Sequence, residues 1–538
     1  MADEGVLSML DETYYAESWL PPPESGDGEG EEDSWDRGEI LVDDVAYMID
    51  QRNHTTALCP VTRRSSDGDT KDMLQVTFCL APPPHISYFC TSYNSGEPTR
   101  FLYEPRILAS EGNLALIGLK HCTLLNEPST YIHFVYRAPI LAHDSPELRR
   151  LTHPSDEVFP YIDDCYLPHG EVGILRYRTS SVSTQTPFTT PTLTHNPAPA
   201  LVRRHKSTPI PNTNIDDYDA YKIATLCASW RSGTRQYDIC TYDSKADAWT
   251  RKPTLLSQPQ DSHVKHSFHK VITIGEKMGW VDLWQGILLC DVHIPAGQEE
   301  SPGPRLLRYI LLPEPMQPDN DLPIIGFASF FRDITVIKGL IKFVDLQIHA
   351  SLGSRVPSGW TAVTWIMAPD DREFRKDVEL HSHDIINPPE LSLFVAHPTL
   401  SSHDDDVLYL MTKASLDDRA SDVFAVNMKT KRMGPVAKFT TQREASMDYA
   451  YMRSTISNYL SPDPKWNLKR RGPVLQGSNR KKQPAINSSK DLPPWVMMWI
   501  LWTLWTWNRL LGMVLHYGRR LIRRRPGLAP KSRRRTCP

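Results

Sequence analysis

The sequence predicts a mainly β protein: a β-propeller-like body with a C-terminal helix and disordered tails, the alternative body being two packed β-sandwich domains. Three observations lead there. Apolar runs of strand length recur along most of the chain, turn-forming clusters separate them, and strand–turn–strand units repeat. Pro (45 residues) outnumbers Gly (27), which keeps the runs short and leaves little room for long helices before residue 490.

Residues 1–38 read as an acidic disordered tail, because Gly26-Asp27-Gly28-Glu29-Gly30-Glu31-Glu32-Asp33 and its surroundings hold too few apolar residues to bury a core. The start, Met1-Ala2-Asp3-Glu4, has neither a basic n-region nor an apolar h-region, so an intracellular, non-secreted protein is expected. Order should begin near Ile40-Leu41-Val42. Residues 39–178 form an N-terminal β region with strands at Leu74–Phe78, Ile86–Phe89, Leu114–Ile117 and Tyr131–Tyr136. Their separators are Ser65-Ser66-Asp67-Gly68-Asp69, Pro82-Pro83-Pro84 and Asn94-Ser95-Gly96.

Residues 179–215, nearly all Ser, Thr and Pro at first, read as a linker or insertion. The central β domain, 216–462, resumes with Tyr221–Leu226 and Tyr237–Tyr242, then a polar turn before Trp249. The same grammar recurs at Val423–Asn427 with Gly434–Phe439. It is tightest at Asp333–Ile337, Lys338-Gly339, Leu340–Val344, where glycine supplies the positive φ of a two-residue hairpin turn. Stacking such units radially leaves only short edges to protect, which favours the propeller.

Charge is segregated. Residues 1–40 carry a net of −12, residues 465–538 a net of +17 and the remainder −9, although the whole chain is only −4. Such tails are expected to meet charged partners. Nine scattered cysteines, none in a CxxC pair, read as buried thiols in a reducing compartment.

Gly279-Trp280-Val281-Asp282-Leu283-Trp284-Gln285-Gly286-Ile287-Leu288-Leu289-Cys290-Asp291-Val292, followed by Leu307–Pro313, closely resembles the hallmark of the grass-expanded plant family called domain of unknown function 1618. Val45–Asp50 with Arg52-Asn53, Phe331–Gly339, His397–Leu400 with His403–Val407, and Ser454–Leu460 are similar to its other blocks in order. The resemblance spans roughly residues 40–460. It implies a plant source and a body akin to F-box-associated and kelch-type propeller domains, but no reaction. The Ser/Thr/Pro insertion and the C-terminal tail depart from the common pattern.

Within the hallmark, even spacing puts Trp280 and Trp284 on one strand face, Gly279 and Gly286 permit tight turns, and Asp282 and Asp291 hold loop backbone N–H groups. The Trp/Asp set is also the candidate recognition surface. His381-Ser382-His383-Asp384 and His403-Asp404-Asp405-Asp406 have metal-ligand chemistry, but Pro, Ser and Asp around them are those of solvated turns, and no metal is assigned. His403, Asp404 and Asp405 stay as signature residues. No GxSxG, GxxxxGK[ST], HExxH or GxGxxG occurs, so no catalytic residue or cofactor is assigned. Residues 1–40 show no helical leucine pattern of the kind an F-box needs.

The tail divides into a basic linker (463–491, with Lys469-Arg470-Arg471 and Arg480-Lys481-Lys482), a Trp-rich helix (492–518) and an Arg-rich end (519–538). Trp495, Trp499 and Trp502 have helical spacing, Trp505 and Trp507 follow, and residues 495–515 are about as many as a span needs. Asn508 and Arg509 interrupt that run, which leaves spanning, interfacial attachment and docking on protein as the readings. The expected function is a non-catalytic protein-interaction scaffold, its partner unidentified, tethered to a membrane by the tail. The alternatives are an enzyme using the propeller centre or a nuclear adaptor binding nucleic acid.

Overall fold

A computed structural model describes residues 38–178 and 220–460, except 64–69, 94–100, 122–129, 141–143, 156–157, 159–166, 168, 232–233, 258–265, 295–302, 317–327, 351–356, 387–393, 414–419 and 441–450. The described residues lie in one compact unit, Met1–Arg470. The acidic and basic tails, and with them the expected C-terminal helix, lie outside the described residues.

Among the described residues, twenty-five strands form six blades. Blade I holds β1 (Ile40–Asp43), β2 (Ala57–Arg63), β3 (Thr70–Cys79), β4 (Ile86–Tyr93) and, from the far end of the sequence, β25 (Tyr451–Ser454). Blade II is β5 (Phe101–Glu111), β6 (Leu114–His121), β7 (Thr130–Arg137) and β8 (Glu147–Arg150). Blade III is β9 (Val172–Tyr177), β10 (Ala220–Arg231), β11 (Thr234–Asp243) and β12 (Ala248–Leu256). Blade IV is β13 (Lys270–Ile274), β14 (Lys277–Asp282), β15 (Gly286–Asp291) and β16 (Arg305–Leu311). Blade V is β17 (Arg332–Ile337), β18 (Leu340–Ala350), β19 (Pro357–Met367) and β20 (Arg375–His381). Blade VI is β21 (Phe394–Leu400), β22 (Val407–Lys413), β23 (Ala420–Asn427) and β24 (Arg432–Thr440).

Blades II to VI are antiparallel meanders. Their first strands, β5, β9, β13, β17 and β21, lie side by side in sequence order. β25 completes that inner ring: Ser454 Oγ is 2.7 Å from Ser110 Oγ on β5, and Arg453 donates to the Leu400 carbonyl at the end of β21. Because β25 pairs antiparallel with β1, N- and C-terminal strands share blade I and close the ring. Six apolar cores fill the gaps between successive blades, as between I and II (Phe78, Phe89, Phe134), III and IV (Trp280, Leu288, Leu307) and V and VI (Leu346, Leu408, Phe424). Each blade thus packs on two neighbours, which distinguishes the ring from a pair of two-layer sandwiches.

Burial falls from the inner strand outward, and the sequence follows it. Leu400 and the other β21 residues after Phe394 are buried, whereas β20 reads Arg-Lys-Asp-Val-Glu-Leu-His and buries only Leu380. Charge on the outermost strand guards an edge against pairing with other chains. The β17–β18 turn has φ of 50° at Lys338 and 77° at Gly339, the pair of positive values a two-residue type I′ turn needs. β9 pairs directly with β10, so residues 179–219 interrupt one blade rather than divide two domains. None of the six described cysteines forms a disulfide.

Candidate functional site

The hallmark block forms the β14–β15 hairpin of blade IV. Trp280 is fully buried in the core between blades III and IV, and its indole N–H donates to the Glu171 carbonyl at 2.9 Å. Trp284 does not share that face. β14 ends at Asp282, so the alternation stops before Trp284, which lies in the turn and is 39% exposed. Nor does Gly279 sit in a turn. It lies in mid-strand, where a Cβ would come within 2.8 Å of Ile287, while at Gly286 a Cβ would come within 2.5 Å of the Ile310 carbonyl oxygen. Asp282 is the organiser of the turn. Its carboxylate accepts from the backbone N–H of Trp284 (2.9 Å) and of Ser267 (2.8 Å) and from the Gln285 amide (3.0 Å). Asp291 is exposed instead, 3.9 Å from Lys277 Nζ.

A buried arginine staples this turn to blade V. Arg332 makes two hydrogen bonds to Asp345 (2.7 and 3.2 Å) and one to the Leu283 carbonyl (3.0 Å). Its guanidinium carbon stands 5.0 Å from the Trp284 ring centroid and 5.3 Å from that of Phe343. The histidines flanking the turn, His266 and His269, are held below the usual imidazole range chiefly by burial, against the pull of Asp282.

The His403–Asp406 run lies where the ring closes. Gly38 packs against the His403 ring, and the buried Glu39 carboxylate accepts from Ser402 N–H (2.7 Å), Ser402 Oγ (2.9 Å) and Tyr409 OH (3.3 Å). Asp404 accepts from Asp406 N–H, Asp405 pairs with Lys338 at 3.1 Å and Asp406 with Lys429 at 2.7 Å. Among the described residues this acidic run is the one group with metal-ligand spacing, and it gathers no histidine. His381 and His383 instead stack on each other, centroids 5.2 Å apart, with His381 Nδ1 2.8 Å from Thr361 Oγ1. The lysine partners and backbone bonds make this run a hairpin anchor.

The centre of the ring holds a constellation that sequence reasoning missed. Every blade contributes: Glu111 (II), Arg176 (III), Lys270 and Thr273 (IV), Asp333 (V), the Leu400 backbone (VI) and Arg453 (I). Thr273 Oγ1 donates to Glu111 Oε2 at 3.0 Å. Lys270 Nζ donates to Asp333 Oδ1 at 2.5 Å, and Asp333 Oδ2 accepts from Leu400 N–H at 3.0 Å. Arg453 gives one N–H to the Leu400 carbonyl (2.6 Å), Arg176 one to Asn113 Oδ1 (3.3 Å). Desolvation pushes the Glu111 carboxyl above the usual range, although Thr273, Arg176 and Arg453 pull it down. Desolvation likewise lowers the Lys270 ammonium, against the pull of Asp333. Glu111, Arg176, Lys270 and Arg453 are each half-buried, so solvent reaches them. The five charged members of the cluster lie on five different innermost strands, and of these only Asp333 falls in a family-like block.

A second feature lies on the rim. β12 and β16, the outermost strands of blades III and IV, pair in parallel and fuse the two blades into one eight-stranded sheet. Leu256 and Leu307 turn inward to the core between these blades. Their neighbours Leu255 and Leu306, also register partners, therefore face outward side by side, 54% and 60% exposed. At the far end of β16, Leu311 is 69% exposed and pairs with Gly286 beside Trp284. Between blades II and III a shallow cleft is lined by Tyr131, His133, Arg150, His153 and Trp249. Burial and His153 depress the His133 imidazole there to about 3, keeping it neutral.

The model of the family described as "Protein of unknown function (DUF1618)" matches residues 280–409, from Trp280 to Tyr409, and supports the family resemblance over that span. No curated protein matches the chain. Among solved structures, a glycosyl hydrolase from Bacteroides ovatus is similar at 8% identity and a TM-score of 0.21, covering 62% of this chain and 83% of that one. The GH32 β-fructofuranosidase of Bombyx mori is similar at 10% identity and a TM-score of 0.23, covering 65% of this chain and 58% of that one. Neither likeness bears on the activity of this chain. Among the described residues no helix is long and apolar enough to cross a membrane; Trp495, Trp499, Trp502, Trp505, Trp507 and Arg509 lie outside them.

Proposed function

We propose that this protein is a non-catalytic interaction scaffold whose propeller body docks a partner protein along the seam between blades III and IV. The observation that carries the reading is the outward-facing pair Leu255 and Leu306, with Leu311 and Trp284 at the other end of β16. These are four of the seven large apolar side chains exposed among the described residues. The two groups lie about 17 Å apart along β16 at the strand rise and, five positions apart, on opposite faces of the strand, so the partner wraps the outer edge of the fused sheet to reach both. Leucines on a charged rim call for an aliphatic face on the partner. On this reading the tail, through residues 495–515, tethers the scaffold to an internal membrane of a plant cell, in line with the family resemblance and the tryptophan spacing.

A photoreactive residue at position 311 tests the surface in full-length protein expressed in plant cells. It should give a discrete cross-link to one other protein, absent with the photoreactive residue at Val436, an exposed site on blade VI. The cross-link should be lost on adding Leu255→Asp and Leu306→Asp. Equal cross-linking from both positions, cross-linking only to copies of this chain, or indifference to the two aspartates contradicts the reading. A version ending at residue 462 should keep the cross-link and lose recovery with membranes.

A further inference from the structure

We propose that Cys227 and Cys240 are an oxidisable thiol pair in blade III, which closes to an intrachain disulfide when a hydroperoxide reaches Cys227. The two sulfurs stand 3.2 Å apart, so they need approach by only about 1 Å to reach bonding distance. Strand register puts them there. Cys227 pairs with Asp238 and Thr225 with Cys240, which makes the cysteines diagonal neighbours on one face of the β10–β11 ladder. Arg251 of β12 is the register partner of Cys240 on its other side, and Asp238 anchors it through bonds of 2.6 and 2.9 Å. Its guanidinium thus lies on the same face, within electrostatic range of both sulfurs. Exposure divides the roles. Among the described residues Cys227 is the one cysteine that is not buried, whereas Cys240 is 0% exposed in the core between blades II and III.

The chemistry follows from that asymmetry. Solvent and small oxidants reach Cys227, and the thiolate form of a cysteine is the nucleophile. The hydrogen bond with Cys227 first, and burial second, push the Cys240 thiol far up, against the pull of Arg251. Cys240 therefore keeps its proton while Cys227 reacts. The Cys227 thiolate attacks the hydroperoxide: an S–O bond forms, the O–O bond breaks, and the leaving oxygen takes up a proton and departs as water or an alcohol. Cys240 then attacks the sulfur of the resulting sulfenic acid. The S–S bond forms, the S–O bond breaks, and hydroxide leaves with the Cys240 proton as water. Two thiols lose two electrons in all, and the peroxide bond takes them up. Loss of the Cys240 S–H strands no acceptor, because the Val158 carbonyl that it faces at 3.7 Å also accepts from Arg251 at 3.2 Å. Blade I holds a geometric twin that lacks access. Cys79 and Cys90 are related by the same diagonal across β3 and β4 and are hydrogen-bonded, but both are buried.

Treatment of the full chain with hydrogen peroxide, followed by alkylation and tryptic peptide mass spectrometry, tests this. Trypsin cuts after Arg231 and Arg235, so Cys227 and Cys240 fall in separate peptides that only a disulfide joins. The expected product is that joined pair, returned to two thiols by dithiothreitol. It should form at least about tenfold faster than any oxidation at Cys79 and Cys90, because access to the sulfur limits the first step. Cys240→Ser should hold Cys227 as a sulfenic acid that dimedone traps, and Cys227→Ser should leave Cys240 reduced. Should Cys240→Ser fail to fold, the wild type and Cys227→Ser decide alone. Cys227 that stays reduced, is recovered only as the sulfinic acid, or joins only another cysteine overturns the proposal. So does equally fast oxidation of Cys79 and Cys90, or oxidation of Cys240 in Cys227→Ser.

Discussion

Replacing Arg332 by Ala should destabilise the folded protein by about 3–5 kcal/mol, because it strands the Asp345 carboxylate in the interior. The Arg332 side chain is 0% exposed and that of Asp345 6%. Arg332 also ties the Leu283 carbonyl and the Trp284 ring of blade IV to blade V. The penalty is chiefly that of an uncompensated charge, so removing both partners should cost much less than removing one. Arg332→Met with Asp345→Leu should recover most of the loss, measured by denaturant unfolding. If the double variant is as unstable as Arg332→Ala, the stabilisation lies in the inter-blade bonds rather than in the ion pair.

Trp280→Ala should cost about as much, roughly 3–5 kcal/mol for a large aromatic emptied from a packed core. It also leaves the Glu171 carbonyl without the indole N–H it accepts. Trp284→Ala should cost only about 0.5–1 kcal/mol, the scale of one exposed cation–π contact. The two tryptophans stand four residues apart in one hairpin, yet one fills the gap between blades and the other caps a turn. Similar losses from the two substitutions would show that both contribute to the core.

That contrast also marks where sequence reasoning stops. Alternation is a property of a strand, and it was carried past Asp282, where β14 ends and the turn begins. The hairpin of β17 and β18 was legible because apolar residues, Lys338-Gly339 and register all lie within a dozen positions. Outer strands such as β12 and β20 were not, because solvent on both sides leaves them polar and without period. Ring closure left no local trace: β25 is four residues long and finds its partner, β1, at the other end of the chain. A repeat length could not be read because the insertion at 179–219 falls inside blade III, and blade I is assembled from both ends. The central cluster was illegible for the same reason, since Glu111, Arg176, Lys270, Asp333 and Arg453 come together only once the ring exists. The Asp282 turn was legible because its bonds stay within one short stretch of chain.

The closed six-bladed ring requires β25 to stand beside β5, and a cross-link reads that placement directly. Ser110 and Ser454 are 344 residues apart in sequence, yet their hydroxyl oxygens are 2.7 Å apart. Their exchange for cysteine should give a disulfide under mild oxidation, because side-chain atoms that close can reach bonding geometry. Peptide mass spectrometry of the Ser110→Cys, Ser454→Cys protein should find the two positions joined within one chain. Recovery of both as separate thiols, in protein that is otherwise folded, would contradict the closed six-bladed ring.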